Sequence, residues 1–247
     1  MSRALYRICF RVVCSRLCSS KASIRLFRAR PGRAFVEDVP EDERAALAVK
    51  MTKALADEAR LLGRLRHPNI VAAHWFGQLE PPGEDPVWAI VMDFVDGRCW
   101  RDLLLDAVRA NSLIPLDEVL DVHIHIARAL AYAHSLEDET GQPMGLVHRD
   151  LKPENVMVSR EGEVKLLDFG IAKGAVEREA KTSTGLVIGT IGYIAPERLT
   201  EEELTPASDI YALGCVLFET VVGRKLFEPV SKKQFTQMAL DSGAHDL

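Results

Sequence analysis

The stretch VHRDLKPENVMV, residues 147–158, places cations, carboxylates and an amide between apolar residues. Asp150 lies five residues before Asn155, and Lys152 lies between them. A carboxylate can accept a hydroxyl proton, an amide oxygen can hold a hard metal ion, and a lysine can neutralise a phosphate as a point charge. The residue types and their order therefore indicate a catalytic loop rather than an ordinary polar surface turn.

The segments on either side of this loop predict strands in the first part of the chain and helices in the second. Apolar runs predict strands at residues 24–29, 45–51, 87–95, 155–158 and 164–169. Helical spacing of apolar residues predicts helices at residues 52–65, 99–110, 116–136 and 207–223. We therefore predict an α+β fold with two lobes and a cleft between them.

Charge is unevenly distributed along the 247 residues, whose net charge is -5. Residues 1–33 hold nine of the 31 Lys and Arg residues and no acid, which leaves 22 basic against 36 acidic residues in the rest. An acidic body argues against general nucleic-acid binding. No apolar run approaches the roughly 18 residues of a membrane span. The five cysteines are odd in number and irregularly spaced, which predicts a reducing compartment without disulfides.

The basic head, residues 1–23, differs in composition from the segment that follows. It has the Arg and Ser content of a mitochondrial transit peptide, but sequence that does not belong to the domain is the favoured reading, because no clear cleavage context follows. We expect a cytoplasmic protein, or a mitochondrial one if the head is a genuine transit peptide. The predicted boundaries are a head at 1–23, a first lobe at 24–95 and a second lobe at 96–247.

The motif HRDLKPEN resembles the catalytic loop of eukaryotic-like, bacterial-type protein serine/threonine kinases. Its companions occur in the family's order: VK at 49–50, DFG at 168–170 and APE at 195–197. The resemblance covers roughly residues 24–240. It implies a bilobal kinase-like fold, with a small β-rich N-lobe and a larger helical C-lobe. It also implies transfer of the ATP γ-phosphate, with Mg²⁺, to Ser or Thr hydroxyls of proteins.

The resemblance assigns roles to four polar residues near the loop. Asp150 is implied to be the catalytic base or aligner for the acceptor hydroxyl, and Lys152 to accompany it as the phosphate cation. Asn155 and Asp168 are implied to be the magnesium ligands, since both offer hard oxygen atoms.

The resemblance also implies a nucleotide site. Lys50 would contact the α- and β-phosphates and be held by Glu58 of the following helix. The residues around the adenine base would be Ala48, Met92, Asp93, Val95 and Met157.

Two further residues are implied to support the loop. His148 is interpreted as a packed structural residue beside Phe169, in preference to a metal ligand or base. Asp209 is implied to bond the backbone amides of the catalytic loop, although a helix N-cap is an alternative role.

The segment before APE suggests the acceptor class and a control site. Lys152 and the Gly189–Thr190 pair are typical of Ser/Thr rather than Tyr kinases. We expect Thr182, Ser183 or Thr184 to be phosphorylated in trans, with Arg149 as the partner of that phosphate.

The chain departs from the family pattern at both ends. Residues 1–31 contain no glycine, so the family's GxGxxG phosphate loop is missing. The arginine that the family pairs with Glu197 is also missing, so we expect both lobes to be incomplete and Glu197 to lack its partner. The alternative function is a catalytically impaired kinase-like fragment or pseudokinase that acts as a binding module. A small-molecule phosphotransferase is a third reading, against which the APE and Gly189–Thr190 elements count.

Overall fold

The computed structural model describes six stretches of the chain: residues 9–10, 22–27, 63–79, 87–169, 191–198 and 205–227. These residues fall into two compact units. The described part of the first unit contains a four-stranded sheet, and that of the second contains a three-stranded sheet and three helices. The predicted α+β class is confirmed.

The sheet of the first unit is antiparallel throughout. Its strands are β1 (Cys9–Phe10), β2 (Ala22–Phe27), β3 (Ala73–Leu79) and β4 (Val87–Asp93). Their order is β1-β2-β4-β3, so that β4 has a neighbouring strand on each side. The sequence of β4, VWAIVMD, is almost entirely apolar, as is typical of an interior strand.

The sequence predicted β2 and β4 but not β3. The β3 sequence, AHWFGQL, contains Gly77, and its register with β4 shifts between Ala73 and Trp75. Its extended state depends on pairing with β4, which no local pattern reports. The predicted strand at 45–51 and nearly all of the helix at 52–65 lie outside the described residues.

Two residues of the basic head belong to the first sheet. Cys9 pairs with Arg25 and Phe10 pairs with Ile24, which makes β1 the neighbour of β2. The head therefore contributes backbone pairing to the unit. The domain boundary at residue 24 stays a prediction.

The second unit contains the elements that surround the catalytic loop. In chain order they are β5 (Gly97–Cys99), α1 (Trp100–Arg109), α2 (Leu116–His134), β6 (Val156–Ser159), β7 (Val164–Leu166) and α3 (Pro206–Val222). Short 3₁₀ turns lie at Pro153–Asn155, Ile191–Tyr193 and Pro196–Arg198. Strands β5, β6 and β7 form an antiparallel sheet in that order. Three of the four helices predicted from apolar spacing lie in this unit and are confirmed to within a few residues.

Helix α2 is amphipathic and packs against α3 and β7. Its buried residues recur at helical spacing and are Val119, Val122, His123, Ile126, Ala129, Leu130 and Ala133. Full burial of each large aliphatic side chain contributes roughly 1.5–3 kcal/mol. None of the helices in the described stretches combines the length and apolar character needed to cross a bilayer.

Two glycines are required by the backbone of this unit. Gly97 opens β5 opposite Ser159, and a Cβ there would lie 2.0 Å from the Val158 carbonyl oxygen. Gly223 ends α3 with φ of 76°, the left-handed conformation that glycine adopts without a steric penalty.

The segment His67–Ile70 runs beside β7 within the second unit. The Asn69 side-chain amide donates to the Val164 carbonyl at 2.9 Å, and the Asn69 carbonyl accepts from the Leu166 amide at 2.8 Å. Lys165 Nζ donates to the Pro68 carbonyl at 2.8 Å. These bonds hold the strand that ends two residues before Asp168.

His123 is a buried, titratable side chain of α2. Its Nδ1 donates to the Val119 carbonyl at 2.7 Å, and Nε2 is buried without a hydrogen-bond partner in the described part of the chain. Burial lowers the pKa of His123, and the bond to Val119 offsets only part of that effect. An unfolded histidine titrates near 6.5, so between its folded and unfolded pKa values the unfolded state binds more protons.

We therefore expect the melting temperature to fall as pH drops from 7.5 to 5.5, and His123→Leu to reduce that fall. Differential scanning fluorimetry at the two pH values measures both. His125→Leu on the same helix is the matched control, because His125 is only partly buried. An equal reduction by both variants would contradict the role of His123.

Candidate active site

The catalytic loop is fixed to α3 through one buried carboxylate. Asp209, 1% exposed, accepts the amide hydrogens of His148 at 2.7 Å and Arg149 at 3.0 Å. His134, the last residue of α2, contacts the same carboxylate at 2.8 Å. Burial alone would raise the pKa of Asp209, but the bond to His134 and the two backbone amides lower it. The predicted loop-bonding role is confirmed, whereas the N-cap alternative is wrong because Thr205 is the N-cap.

His148 is a fully buried structural residue. Its Nε2 donates to the Leu167 carbonyl at 2.9 Å, and its Nδ1 accepts from the Asp150 amide at 3.3 Å. The ring lies 4.7 Å from the Phe169 ring. Burial lowers the pKa of His148, which favours the neutral form. With both nitrogens bonded, the imidazole orients the backbone of the loop.

Lys152 and Asn155 both contact the carboxylate of Asp150. The Asp150 side chain is 5% exposed. Lys152 Nζ lies 3.0 Å from Asp150 Oδ2 and 3.2 Å from Oδ1. The Asn155 amide donates to Asp150 Oδ2 at 3.0 Å and to the Asp150 carbonyl at 2.8 Å. The structure thus brings together the three polar residues on which the sequence prediction depends.

The pairing of β6 with β7 places the strand that leads to Asp168 beside Asn155. Val156 is opposite Leu166, and the Leu167 amide donates to the Asn155 carbonyl at 2.8 Å. Asp168 follows with φ of 54°, a left-handed conformation that costs a non-glycine residue about 1–2 kcal/mol. Such strained backbone occurs at functional sites where the surrounding structure enforces it.

The donor atoms of this group fit a magnesium ion. Both hydrogen bonds of the Asn155 side chain to Asp150 are donated by its nitrogen, and its oxygen is a hard donor of the kind that ligates Mg²⁺. Asp168 offers a carboxylate. The described residues contain no cluster of three or more His, Cys, Asp or Glu side chains that could hold a metal ion. Magnesium usually takes one or two carboxylates and completes its shell with water and substrate phosphates.

The residues predicted to surround the adenine base are distributed between the units. Met92, buried, and Asp93 end β4 in the first unit, where the Asp93 carboxylate contacts His74 Nε2 at 2.6 Å. Val95 and Met157 lie in the second unit, the latter in β6. Three predicted residues lie outside the described stretches: Ala48, Lys50 and Glu58.

Comparison with known sequences identifies the family to which this geometry belongs. The sequence model of the protein kinase domain matches residues 40–245. The chain belongs to the protein kinase family. That family uses ATP and Mg²⁺, in agreement with the oxygen donors described above.

Curated bacterial kinases resemble this kinase domain. The tyrosine-protein kinase MasK of Myxococcus xanthus is 42% identical over 165 residues, 67% of this chain and 25% of MasK. The serine/threonine-protein kinase PknA of Mycobacterium tuberculosis is 39% identical over 170 residues, 69% of this chain and 36% of PknA. PknB of Mycobacterium leprae is 36% identical over 177 residues, 70% of this chain and 26% of PknB. The matched part of the chain therefore spans only a quarter to about a third of these relatives.

The segment around APE is held to α3 in this kinase domain. Glu197 Oε1 accepts a hydrogen bond from Ser208 Oγ at 2.7 Å, and Ser208 is 4% exposed. The first turn of α3 thus supplies a hydroxyl to Glu197 that the sequence did not predict, and the loss of the family's arginine partner stays a prediction. Residues 170–190, which include the three predicted phosphorylation sites and Gly189–Thr190, lie outside the described stretches.

Sequence reasoning missed several partners of the kinase site. They are His134, Ser208, Arg101 and Glu219. One of these carried a signal: Glu219 is a lone acid in the apolar run CVLFETVV, and a buried acid requires a partner. The identity of that partner, Arg101 at 2.6 Å and 118 residues away, has no local signature.

Asp209→Ala tests the anchoring of the loop. The variant leaves the amides of His148 and Arg149 and the ring of His134 without their acceptor. Because each buried polar group left unsatisfied costs about 1–3 kcal/mol, we expect the free energy of unfolding to fall by at least about 2 kcal/mol. Urea denaturation measures the change.

Asp106→Ala is the matched control for this experiment. Asp106 on α1 pairs with Arg98 and Arg109 at the surface, so its removal is expected to leave the urea midpoint unchanged. Equal destabilisation by the two variants would show that Asp209 does not anchor the loop.

Proposed function

We propose that this kinase domain transfers the γ-phosphate of ATP to Ser and Thr hydroxyls of proteins. The observation that carries the proposal is the Asp150 carboxylate, which is contacted by Lys152 at 3.0 Å and by the Asn155 amide at 3.0 Å. A carboxylate oriented by two donors is a defined acceptor for the hydrogen of an incoming hydroxyl. Membership of the protein kinase family supports the same reaction class.

The roles follow from the chemistry of each side chain. Asp150 accepts the hydrogen of the acceptor hydroxyl and aims its oxygen at the phosphorus. Lys152 places its positive charge beside that oxygen, where negative charge is transferred. The anchoring bonds from Asp209 to the loop keep both groups in place, so catalysis relies on positioning and electrostatics.

Bound Mg-ATP would supply the phosphoryl group and the metal charge that offsets its oxygens. Asn155 and Asp168 would hold the metal through oxygen atoms. Lys50 would hold the phosphates, with Glu58 as its partner. The base would lie against the apolar side chains of Ala48, Met92 and Met157, and would hydrogen-bond to backbone groups of Asp93 and Val95.

The Ser/Thr class is proposed on two supports. Lys152 lies in the order DLKPEN, which is typical of Ser/Thr kinases, and PknA and PknB carry that class in their names. MasK is named a tyrosine-protein kinase, so the hydroxyl class needs a direct measurement. Phosphoamino acid analysis of a labelled protein acceptor separates the two: phosphoserine and phosphothreonine support the proposal, and phosphotyrosine alone contradicts it.

The cytoplasm is the proposed compartment.

Asp150→Asn tests the reaction. The amide cannot accept the hydroxyl hydrogen as the carboxylate does, and general-base catalysis contributes about 10²–10⁴-fold. We therefore expect kcat to fall at least about 100-fold, while the KM for ATP changes little. The measurement is transfer of radiolabelled phosphate from Mg-ATP to a protein acceptor.

Asp106→Asn, the same substitution at the surface of α1, is the control and should retain parental activity. Retained transfer by Asp150→Asn would contradict the assigned role. A parent chain that binds Mg-ATP but transfers nothing would favour the impaired, binding-module alternative. Transfer to aminoglycosides or sugars but not to protein would favour a small-molecule phosphotransferase.

Phosphorylation in trans is the second consequence of the proposed activity. We expect the active chain to phosphorylate Thr182, Ser183 or Thr184 of an inactive Asp150→Asn chain that carries a mass tag. Arg149, next to Asp150, would pair with the new phosphate. Mass spectrometry of both chains locates the phosphate, and its absence between residues 170 and 190 of active protein would contradict the proposal.

A further inference from the structure

Arg101, the second residue of α1, contacts three polar side chains from three other elements. Its Nε donates to Glu154 Oε1 at 3.0 Å, and its Nη1 donates to Glu219 Oε1 at 2.6 Å. Its Nη2 donates to the Tyr193 hydroxyl and lies 3.3 Å from Glu219 Oε2. The Tyr193 hydroxyl in turn donates to Glu219 Oε2 at 2.5 Å. We call these four residues the Arg101 cluster.

The Arg101 cluster is largely withdrawn from solvent. The side chains of Arg101 and Glu219 are 15% and 7% exposed, and Tyr193 is 4% exposed as a residue. Burial, and then the hydrogen bond to Glu219, raise the pKa of Tyr193, so the phenol stays neutral. Burial alone would lower the pKa of Arg101, but the bond to Glu219 and the neighbouring charges raise it.

One guanidinium therefore faces two carboxylates. Arginine is suited to this place because its planar fork can donate in several fixed directions, whereas lysine is a single point charge. Removing one partner of a buried ion pair leaves an uncompensated charge and is strongly destabilising. Without Arg101, the carboxylates of Glu154 and Glu219 would both lose their cationic partner.

The attachment of α1 to α3 does not depend on Arg101 alone. The neighbouring Trp100 is 3% exposed, and its indole nitrogen donates to Thr220 Oγ1 at 3.0 Å. The apolar ring therefore holds the two helices together beside the cluster. Arg101 is therefore not the sole link between α1 and α3 in the described residues. Its contact with Glu154 also joins α1 to the catalytic loop.

Glu154 connects the cluster to the reacting groups. It occupies the 3₁₀ turn Pro153–Asn155, directly before the residue whose amide holds the Asp150 carboxylate. Tyr193 connects the cluster to the segment that ends in Glu197, which precedes α3 in the chain. A shift of Arg101 would therefore displace both Glu154 of the catalytic loop and Tyr193 of this segment.

We propose that Arg101 is a positioning residue for phosphoryl transfer, which sets the catalytic loop and the segment Ile191–Arg198 in register so that an acceptor hydroxyl meets Asp150. The inference rests on the proposed kinase activity. Arg101 acts through Glu154 and Tyr193 and does not touch the reacting atoms. Small displacements of a catalytic group lower rates steeply, since a shift of about 1 Å can cost about 100-fold.

The test compares Arg101→Gln, Arg101→Lys and Tyr193→Phe with Arg109→Gln. Arg109 also lies on α1 and makes an ion pair, but its side chain is 75% exposed, so it is the matched control. We expect Arg101→Gln to lower kcat by about 10–100-fold and to raise the KM for a protein acceptor, with the KM for ATP nearly unchanged. Arg101→Lys should recover part of kcat, Tyr193→Phe should chiefly raise the acceptor KM, and Arg109→Gln should match the parent.

Amide hydrogen exchange gives a readout that needs no activity. The Asn155 amide donates to the Lys152 carbonyl, and the Leu167 amide donates to the Asn155 carbonyl. We expect Arg101→Gln to speed exchange at both by about tenfold, with α2 unchanged. If the parent chain transfers no phosphate, the kinase proposal fails while this exchange measurement still decides whether Arg101 holds the loop.

Two results would overturn the inference. One is an Arg101→Gln variant that melts at a lower temperature yet keeps the parental kcat, acceptor KM and exchange rates. Arg101 would then contribute to stability only. If Arg101→Gln does not fold, Tyr193→Phe decides, because it removes one oxygen and keeps the ring. Parental kinetics and parental exchange in Tyr193→Phe would then reject the positioning role.

Discussion

The Asp209 carboxylate is the interaction on which the rest of the site depends. It is an ionised group in the protein interior, and it is tolerated there because two backbone amides and a histidine surround it. The same bonds fix the start of the catalytic loop in a conformation in which the backbone of Arg149 is left-handed. A single side chain on α3 thus determines where the polar residues of the loop can lie.

Helix α3 organises the second unit through polar residues in an apolar sequence. Ser208 bonds Glu197, Asp209 bonds the loop, Glu219 bonds Arg101 and Tyr193, and Thr220 bonds Trp100. The helix is therefore both the apolar partner of α2 and a row of attachment points for separate segments. Buried polar groups of this kind are satisfied in only one arrangement of their partners, which favours a single packing of the unit.

The sequence predicted much of this fold because its strongest signals are local. The helices α1, α2 and α3 follow from apolar spacing, and the loop residues follow from a motif. β3 was missed because its extended backbone depends on β4, and the bond from Ser208 to Glu197 was missed because no local pattern links the two residues. His134 and Arg101 were missed for the same reason, since side-chain contacts between residues 75 to 118 positions apart are set by packing. The roles given to Lys50 and Glu58 stay predictions.

The left-handed backbone at Arg149 and Asp168 means that the loop conformation depends on the rest of the domain. Arg149 is held there by the Asp209 carboxylate, and Asp168 follows a residue whose amide donates to the Asn155 carbonyl. A short peptide that carries HRDLKPEN would relax to other conformations and lose the arrangement of its side chains. A loop of this sequence grafted onto another scaffold would therefore keep its conformation only if the scaffold also supplied a carboxylate in the place of Asp209 and the β6–β7 pair.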